Sequence, residues 1–438
     1  MRTRLYNACI LTMEQERDIF IGEIWVEDGR ISRMLSYEEA NAGAVYGTEN
    51  RNEQGWDECI DCEGNLLMPG FKNAHTHSAM SFLRSYADDM PLQQWLYDKI
   101  FPMEAKLRED DIYHLTKLSV LEYLTSGITA VFDMYLKPEQ TAKACKEMGM
   151  RCVLVSGLND FTSSIEQTEA EFIKYNQEED LISYCLGFHA EYTCSEALLK
   201  EVAALADKYK APVYMHLSET QHEVEECIRK YGKTPVGFLD SLGIFNYGGG
   251  GYHCVHLTSE DMEILKKRGV YVVTNPASNM KLASGTAPIA QYLSEGIPVA
   301  IGTDGPASNN CLDMFREMFL VTGLAKLKEM DPSAVKAETV LRMATVTGAY
   351  AMGLKDCDVL AEGKYADIIM IDLKQPNMQP LHNIPANIVY SGSKSNVKMT
   401  MINGNILYYN GKFNIYENID DIYEKCGKIL NVMNTRTE

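Results

Sequence analysis

Near the start of the chain, IGEIWVEDGRISRML alternates apolar and polar residues on either side of Asp28-Gly29. Alternation of period two marks a half-buried strand, and Asp-Gly between two such runs is a hairpin turn. The far end repeats the pattern. ADIIMIDL (366–373) reads as a strand, and MTMINGNILYYNGKFN (399–414) sets two Asn-Gly turns between β-prone runs. Residues 1–65 and 360–415 are therefore expected to be β-structure. A unit of about 60 residues is marginal alone, so the two ends are expected to pack together as one composite β-sandwich. The polar, Gly- and Asn-rich stretch 40–58 reads as a loop. Ile419, Ile422, Ile429 and Leu430 lie at helical spacing and predict a C-terminal helix within 416–438.

The middle, 66–359, changes period. Short apolar runs at 66–68, 128–132, 152–158, 182–188, 213–217, 252–257, 270–274 and 299–301 alternate with amphipathic segments such as 109–124 and 194–209. Strand–helix alternation implies βαβ units and a parallel sheet. Eight units in this length predict an α/β fold of the (β/α)8 TIM-type barrel. A doubly wound open sheet is the competing arrangement. No GxGxxG follows the first strand, so its dinucleotide-binding form has no support.

Composition narrows the function classes. The 438 residues carry 41 Lys+Arg against 61 Asp+Glu, a formal net charge of −20, and no Lys/Arg-rich run. Such a surface repels phosphate backbones and anionic lipid, leaving a small-molecule substrate rather than nucleic acid or membrane as partner. There is no apolar stretch of about 18 residues, which a membrane-spanning helix needs. The N-terminal segment has too short an apolar run for a secretory leader. Twelve scattered cysteines suit reduced thiols and a cytoplasmic location. Cys59 and Cys62 form a lone CxxC without a second pair, and read as two free thiols on a strand.

The histidines carry the chemistry. In a barrel the active site gathers at the C-terminal ends of the strands. The first unit ends PGFKNAHTHS, placing His75 and His77 at i and i+2 on one face. The fifth ends VYMHLSET with His216 and Glu219. The sixth holds His253 and His256 in YHCVHL, and the eighth leads into GTDGPASNN with Asp304. Histidines at the ends of the first, fifth and sixth strands and an aspartate after the eighth, all at one mouth, form a candidate site for a divalent metal. Such an ion lowers the pKa of water to about 7. His256, at i+3 from His253, is expected to face away and be structural.

The series PGFKNAHTH…MHLSET…HCVH…GTDGPASNN, with β-rich ends and AEGKYADIIMIDL, resembles the amidohydrolase superfamily along nearly the whole chain. Within it, the chain is similar to the 5-methylthioadenosine/S-adenosylhomocysteine deaminase and chlorohydrolase group. The resemblance implies that His75, His77, His216 and Asp304 bind the metal. It makes Glu219 the donor of a proton to purine N1, His253 the group that orients the attacking water, and Asp304 also a proton shuttle.

Members with two metals carry a lysine or glutamate at the end of the fourth strand. His189 stands there instead, so a single ion is expected, with Glu191 as the nearest contrary residue. Zinc is the default and Fe2+ also suits the donor set. The resemblance further places Trp95, Glu104, Arg151 and His189 around the substrate, an adenosine-type nucleoside converted to its inosine form plus ammonia. The stretch 159–172 lacks the arginine that some members use to hold an amino-acid carboxylate. That favours methylthioadenosine, deoxyadenosine or adenosine over S-adenosylhomocysteine. A guanine or pterin deaminase and a chlorotriazine hydrolase are the alternatives. Homo-oligomerisation is left open.

Overall fold

The computed structural model describes residues 1–15, 17–42, 55–177, 181–433 and 435–436. Most of the loop expected at 40–58 lies outside them. The strands are β1 Arg2–Ile10, β2 Phe20–Glu27, β3 Arg30–Ser36, β4 Glu58–Asp61, β5 Leu66–Pro69, β6 Phe71–Thr76, β7 Ile128–Asp133, β8 Arg151–Val155 and β9 Ile182–Gly187. They continue with β10 Val213–Leu217, β11 Gly249–His253, β12 Val270–Thr274, β13 Val299–Ile301, β14 Ile368–Ile371, β15 Val397–Ile402, β16 Asn405–Tyr409 and β17 Lys412–Phe413.

The two ends of the chain do join. They form one nine-stranded sheet in the order β17-β16-β15-β14-β5-β1-β2-β3, with β4 also paired to β1. Each predicted turn is made. Asp28-Gly29, Asn403-Gly404 and Asn410-Gly411 all have positive φ, as a two-residue hairpin turn requires. Alternation along β14 sorts its residues between two cores. Ile368 and Met370 enter the sheet's own core, while Ile369 and Ile371 pack into the larger core shared with the barrel.

β6 to β13 form the eight-stranded parallel sheet, ordered by sequence. The sheet curls until its edges meet at the mouth. There the Asp304 N–H donates to the His75 carbonyl at 3.0 Å, and the Thr303 N–H donates to Asn73 Oδ1 at 2.8 Å. Phe132, Tyr214 and Tyr252 fill the interior with smaller apolar residues, so this is a packed core and not a pore. Helices Glu109–Thr125, Glu196–Tyr209 and Met314–Glu329 are among those between the strands. The C-terminal helix, Ile419–Met433, lies against the first of these. It is tied there by Cys426 Sγ to the His114 carbonyl and by Lys117 Nζ to Glu417 at 2.6 Å. No helix among the described residues is long and apolar enough to cross a membrane.

Two strand placements differ from expectation. The run at 66–68 belongs to β5 of the outer sheet, and the barrel begins only after Pro69-Gly70, at Phe71. The sixth barrel strand is Gly249–His253 and not 252–257. Its three glycines hide it from a reading based on apolar side chains. They are needed because β10 lies so close: a Cβ on Gly249 would stand 1.9 Å from the Val213 carbonyl oxygen.

Arg151 is a third correction. It opens β8, at the end of the barrel away from the mouth, and does not line the active-site cavity. Its guanidinium makes a bidentate pair with Asp367, Nε to Oδ2 at 2.8 Å and Nη2 to Oδ1 at 3.0 Å, joining the barrel to the outer sheet. Both residues are buried. Arg151→Met is therefore expected to leave an unpaired buried carboxylate. It should cost about 3–5 kcal/mol of stability in denaturant unfolding while leaving KM unchanged.

Candidate active site

The strand ends converge as their sequence positions predict. His75, in β6, and His77, just past it, have ring centroids 4.8 Å apart, and His216 of β10 lies 4.9 Å from His75. His75, His77 and Asp304 present ligand atoms within 4.8 Å of one another, and so do His75, His216 and His253. Asp304 Oδ1 stands 3.3 Å from His77 Nε2 and 3.6 Å from His75 Nε2. Glu191 joins neither group, and no other such group occurs among the described residues.

Two of these histidines are oriented from behind. The Nδ1–H of His216 donates to the His189 carbonyl at 2.8 Å, and that of His77 donates to the Met134 carbonyl, so both rings turn Nε2 to the centre. Hydrogen bonds of this kind fix the tautomer of a metal-binding histidine. His75 is fully buried and stacked at 3.7 Å on Tyr252, and both its ring nitrogens lack any hydrogen-bond partner. Burying an imidazole unpartnered costs free energy. A divalent ion on Nε2 would account for one of these orphaned atoms, and the imidazoles and carboxylate of the two groups fit it.

The electrostatics agree. Burial and the neighbouring imidazoles hold His75 and His216 well below the ordinary histidine value, in the neutral form a ligand needs. Burial opposes ionisation of Asp304, but its hydrogen bond to His77 and the nearby imidazoles outweigh it and keep the carboxyl well below the usual range. Its other oxygen, Oδ2, accepts from Ser278 Oγ at 2.6 Å and Ser308 Oγ at 2.8 Å.

Glu219 and His253 stand beside this cluster, His253 Nε2 lying 3.8 Å from Glu219 Oε2. Glu219 accepts from Ser284 Oγ at 3.0 Å, and burial raises its carboxyl above the ordinary value. His253 Nδ1 is bonded to Asn279 Oδ1 at 2.7 Å, which turns Nε2 to the cavity. Ser218, His253, Cys254 and Asp304 all adopt left-handed backbone at these strand ends. Such conformations in non-glycine residues cluster where a fold must aim side chains. His256 faces elsewhere, its Nε2 bonded to the Ser284 carbonyl at 2.7 Å.

A cavity of about 590 Å3 opens over the cluster. Trp95, Glu104 and His189 line it together with His77, His216, Glu219, His253 and Asp304. The Trp95 indole N–H is tied to the Ala87 carbonyl at 2.8 Å, which anchors the ring in the wall. Burial pushes Glu104 up to about 7, against the opposing influence of Tyr135 and His77. Burial and the charges of His77 and His253 push His189 down to about 4.

Sequence reading missed Ser278, Asn279, Ser284 and Ser308. It also missed Lys137, whose ammonium lies 3.2 Å from Glu109 Oε1 and which is the one lysine or arginine of the cavity wall among the described residues. ASN and SG in NPASNMKLASG, after β12, were the available signal.

Comparison with known proteins points the same way. Residues 66–407 match the amidohydrolase family. The chain is 39% identical over 407 residues to the 5-methylthioadenosine/S-adenosylhomocysteine deaminase of Caldicellulosiruptor saccharolyticus, covering 93% of each. It is 41% identical over 406 residues to the 5'-deoxyadenosine deaminase of Methanothermobacter thermautotrophicus, covering 90% of this chain and 91% of that one. Its fold superposes on the crystal structure of a zinc-bound adenosine deaminase from Xanthomonas campestris with a TM-score of 0.92, at 31% identity over 99% of both chains. The chain, in its barrel and its sequence, belongs to the amidohydrolase family.

Proposed function

We propose that the protein is a metal-dependent hydrolytic deaminase that converts an adenosine-type nucleoside to its inosine form and ammonia. The observation that carries this reading is the placement of a buried acid, Glu219, beside the His75–His77–His216–Asp304 cluster inside a closed-backed cavity. The relatives named above act on adenosine nucleosides, which supports the choice of base.

His75, His77, His216 and Asp304 would hold a divalent ion, zinc by preference, which would supply the Lewis acidity that makes water a nucleophile near neutral pH. The protein's own groups do the rest. Glu219, whose burial favours the protonated form, donates to ring N1 as C6 becomes tetrahedral. His253, fixed through Asn279, orients the attacking water from its Nε2 side. Asp304, with Oδ2 held by two serine hydroxyls, takes the proton from that water and passes it to the departing amine. Glu104 accepts from the ribose hydroxyls, while Trp95 and His189 bound the nucleoside.

The wall meets a charged 5′ chain poorly. Lys137 is its single ammonium among the described residues and already faces Glu109. A carboxylate buried without a cation of its own is costly. The catalytic efficiency, kcat/KM, for 5′-methylthioadenosine is therefore expected to exceed that for S-adenosylhomocysteine, and the reverse order in parallel assays would contradict this account of the pocket. An ultraviolet scan with each adenosine substrate tests the broader reading. The absorbance should shift as the 6-amino group becomes 6-oxo. No change with any adenosine, together with turnover of guanine or a chlorotriazine, would refute it.

A further inference from the structure

Glu317 lies within the helix Met314–Glu329, fully buried, and the mechanism above makes no use of it. Its two carboxyl oxygens reach different segments. Oε2 accepts from the Ala277 backbone N–H at 3.1 Å, in the short helix Pro276–Lys281 that follows β12. Oε1 accepts from Asn309 Nδ2 at 2.8 Å, in the loop after β13. The residues next in the chain to these contacts are the ones that hold the reacting groups. Ser278, beside Ala277, and Ser308, beside Asn309, both donate to Asp304 Oδ2. Asn279 bonds His253 Nδ1. Asn309 also donates from the same nitrogen to the Thr303 carbonyl at 2.6 Å, one residue before Asp304.

We propose that Glu317 is a positioning residue: its buried carboxyl group ties the helix Pro276–Lys281 to the loop after β13 so that Ser278, Ser308 and Asn279 hold Asp304 and His253 in working geometry. Two segments bridged by one side chain are stiffer than either alone, because each acceptor bond removes a backbone or amide freedom that the serine hydroxyls would otherwise inherit. Supports of this kind behind a metal ligand commonly change metal affinity or activity by about 10- to 100-fold when lost. The inference rests on the roles given above to Asp304 and His253.

Glu317→Gln keeps the volume and removes one acceptor. The experiment measures kcat and KM with 5′-methylthioadenosine, zinc affinity by competition with a chromophoric chelator, and thermal unfolding, for wild type, Glu317→Gln, Ser278→Ala and the double variant. The expected result is a fall in kcat of about 10- to 100-fold with KM changed by less than about threefold. Zinc affinity should weaken as well. If Glu317 acts through the serines, the double variant should lose clearly less than the product of the two single losses. Unchanged kcat and zinc affinity in Glu317→Gln, or fully multiplicative losses in the double variant, would overturn the proposal. Should Glu317→Gln fail to fold, Asn309→Leu cuts the same bridge at its other end and is scored by the same cycle. A wild-type protein inactive on every adenosine would count against the proposed function, whereas an active wild type with an equally active Glu317→Gln counts only against the role of Glu317.

Discussion

Glu219→Gln is expected to keep its metal and lose most of its rate. The carboxamide preserves the volume and can still accept from Ser284 Oγ, which now holds Glu219 Oε1 at 3.0 Å. Its NH2 can donate a hydrogen bond but is not an acid, so it cannot transfer a proton to ring N1. A positioned general acid is worth about a hundred- to ten-thousandfold, so kcat should fall within that range. Zinc content by elemental analysis should stay at the wild-type level, because Glu219 belongs to neither ligand group. The pH profile should change too. Burial raises the Glu219 pKa, so its acid form persists to higher pH than that of an exposed glutamate. Activity that depends on this acid is present below the raised pKa and lost as pH climbs through it. That alkaline limb should disappear in the variant. Loss of zinc along with the rate would instead make Glu219 a ligand.

Removing the metal is the second large effect. Chelation should abolish turnover, and zinc should restore it. In the chelated protein burial works against a charged His77, but the hydrogen bond and charge of Asp304 prevail and push it up to about 9. At pH 8 that ring is therefore protonated, yet a ligand imidazole must be neutral. Zinc uptake at pH 8 should accordingly release about one proton, read with an indicator dye in weak buffer. Uptake should also stabilise the fold by about 2.7 kcal/mol at a hundredfold excess over Kd, seen as a rise in Tm. Zinc binding with no proton released would contradict the pairing of His77 with Asp304.

The parts of this site that could be read from the sequence are those placed by strand periodicity. His75 and His77 share a face because their spacing is two, and His216, Glu219, His253 and Asp304 follow apolar runs whose ends define the mouth. Arg151 was assigned to the substrate by the resemblance and not by that reasoning. It precedes the run 152–158, and a residue at the start of a parallel strand lies at the end of the barrel away from the mouth. The Gly249–Gly251 segment was missed because a strand without side chains has no pattern to detect.

The supporting groups were hidden more deeply. Ser278 and Ser308 meet Asp304, and Ser284 meets Glu219, only because segments after different strands approach in space; the last pair is separated by 65 positions. Hydroxyl and amide residues in loops carry no periodicity. Lys137 likewise belongs to the cavity through the turn that follows β7, a position set by tertiary packing and not by its neighbours in sequence.

The central claim is that water replaces the 6-amino group of an adenosine at this metal site. The most direct measurement is turnover of 5′-methylthioadenosine by the zinc-loaded protein in 18O-labelled water, with ammonia and nucleoside product both quantified. The account predicts one ammonia per product, one 18O in the purine carbonyl, and neither in the chelated protein. Unlabelled product, ammonia without the inosine form, or equal turnover after chelation would contradict it.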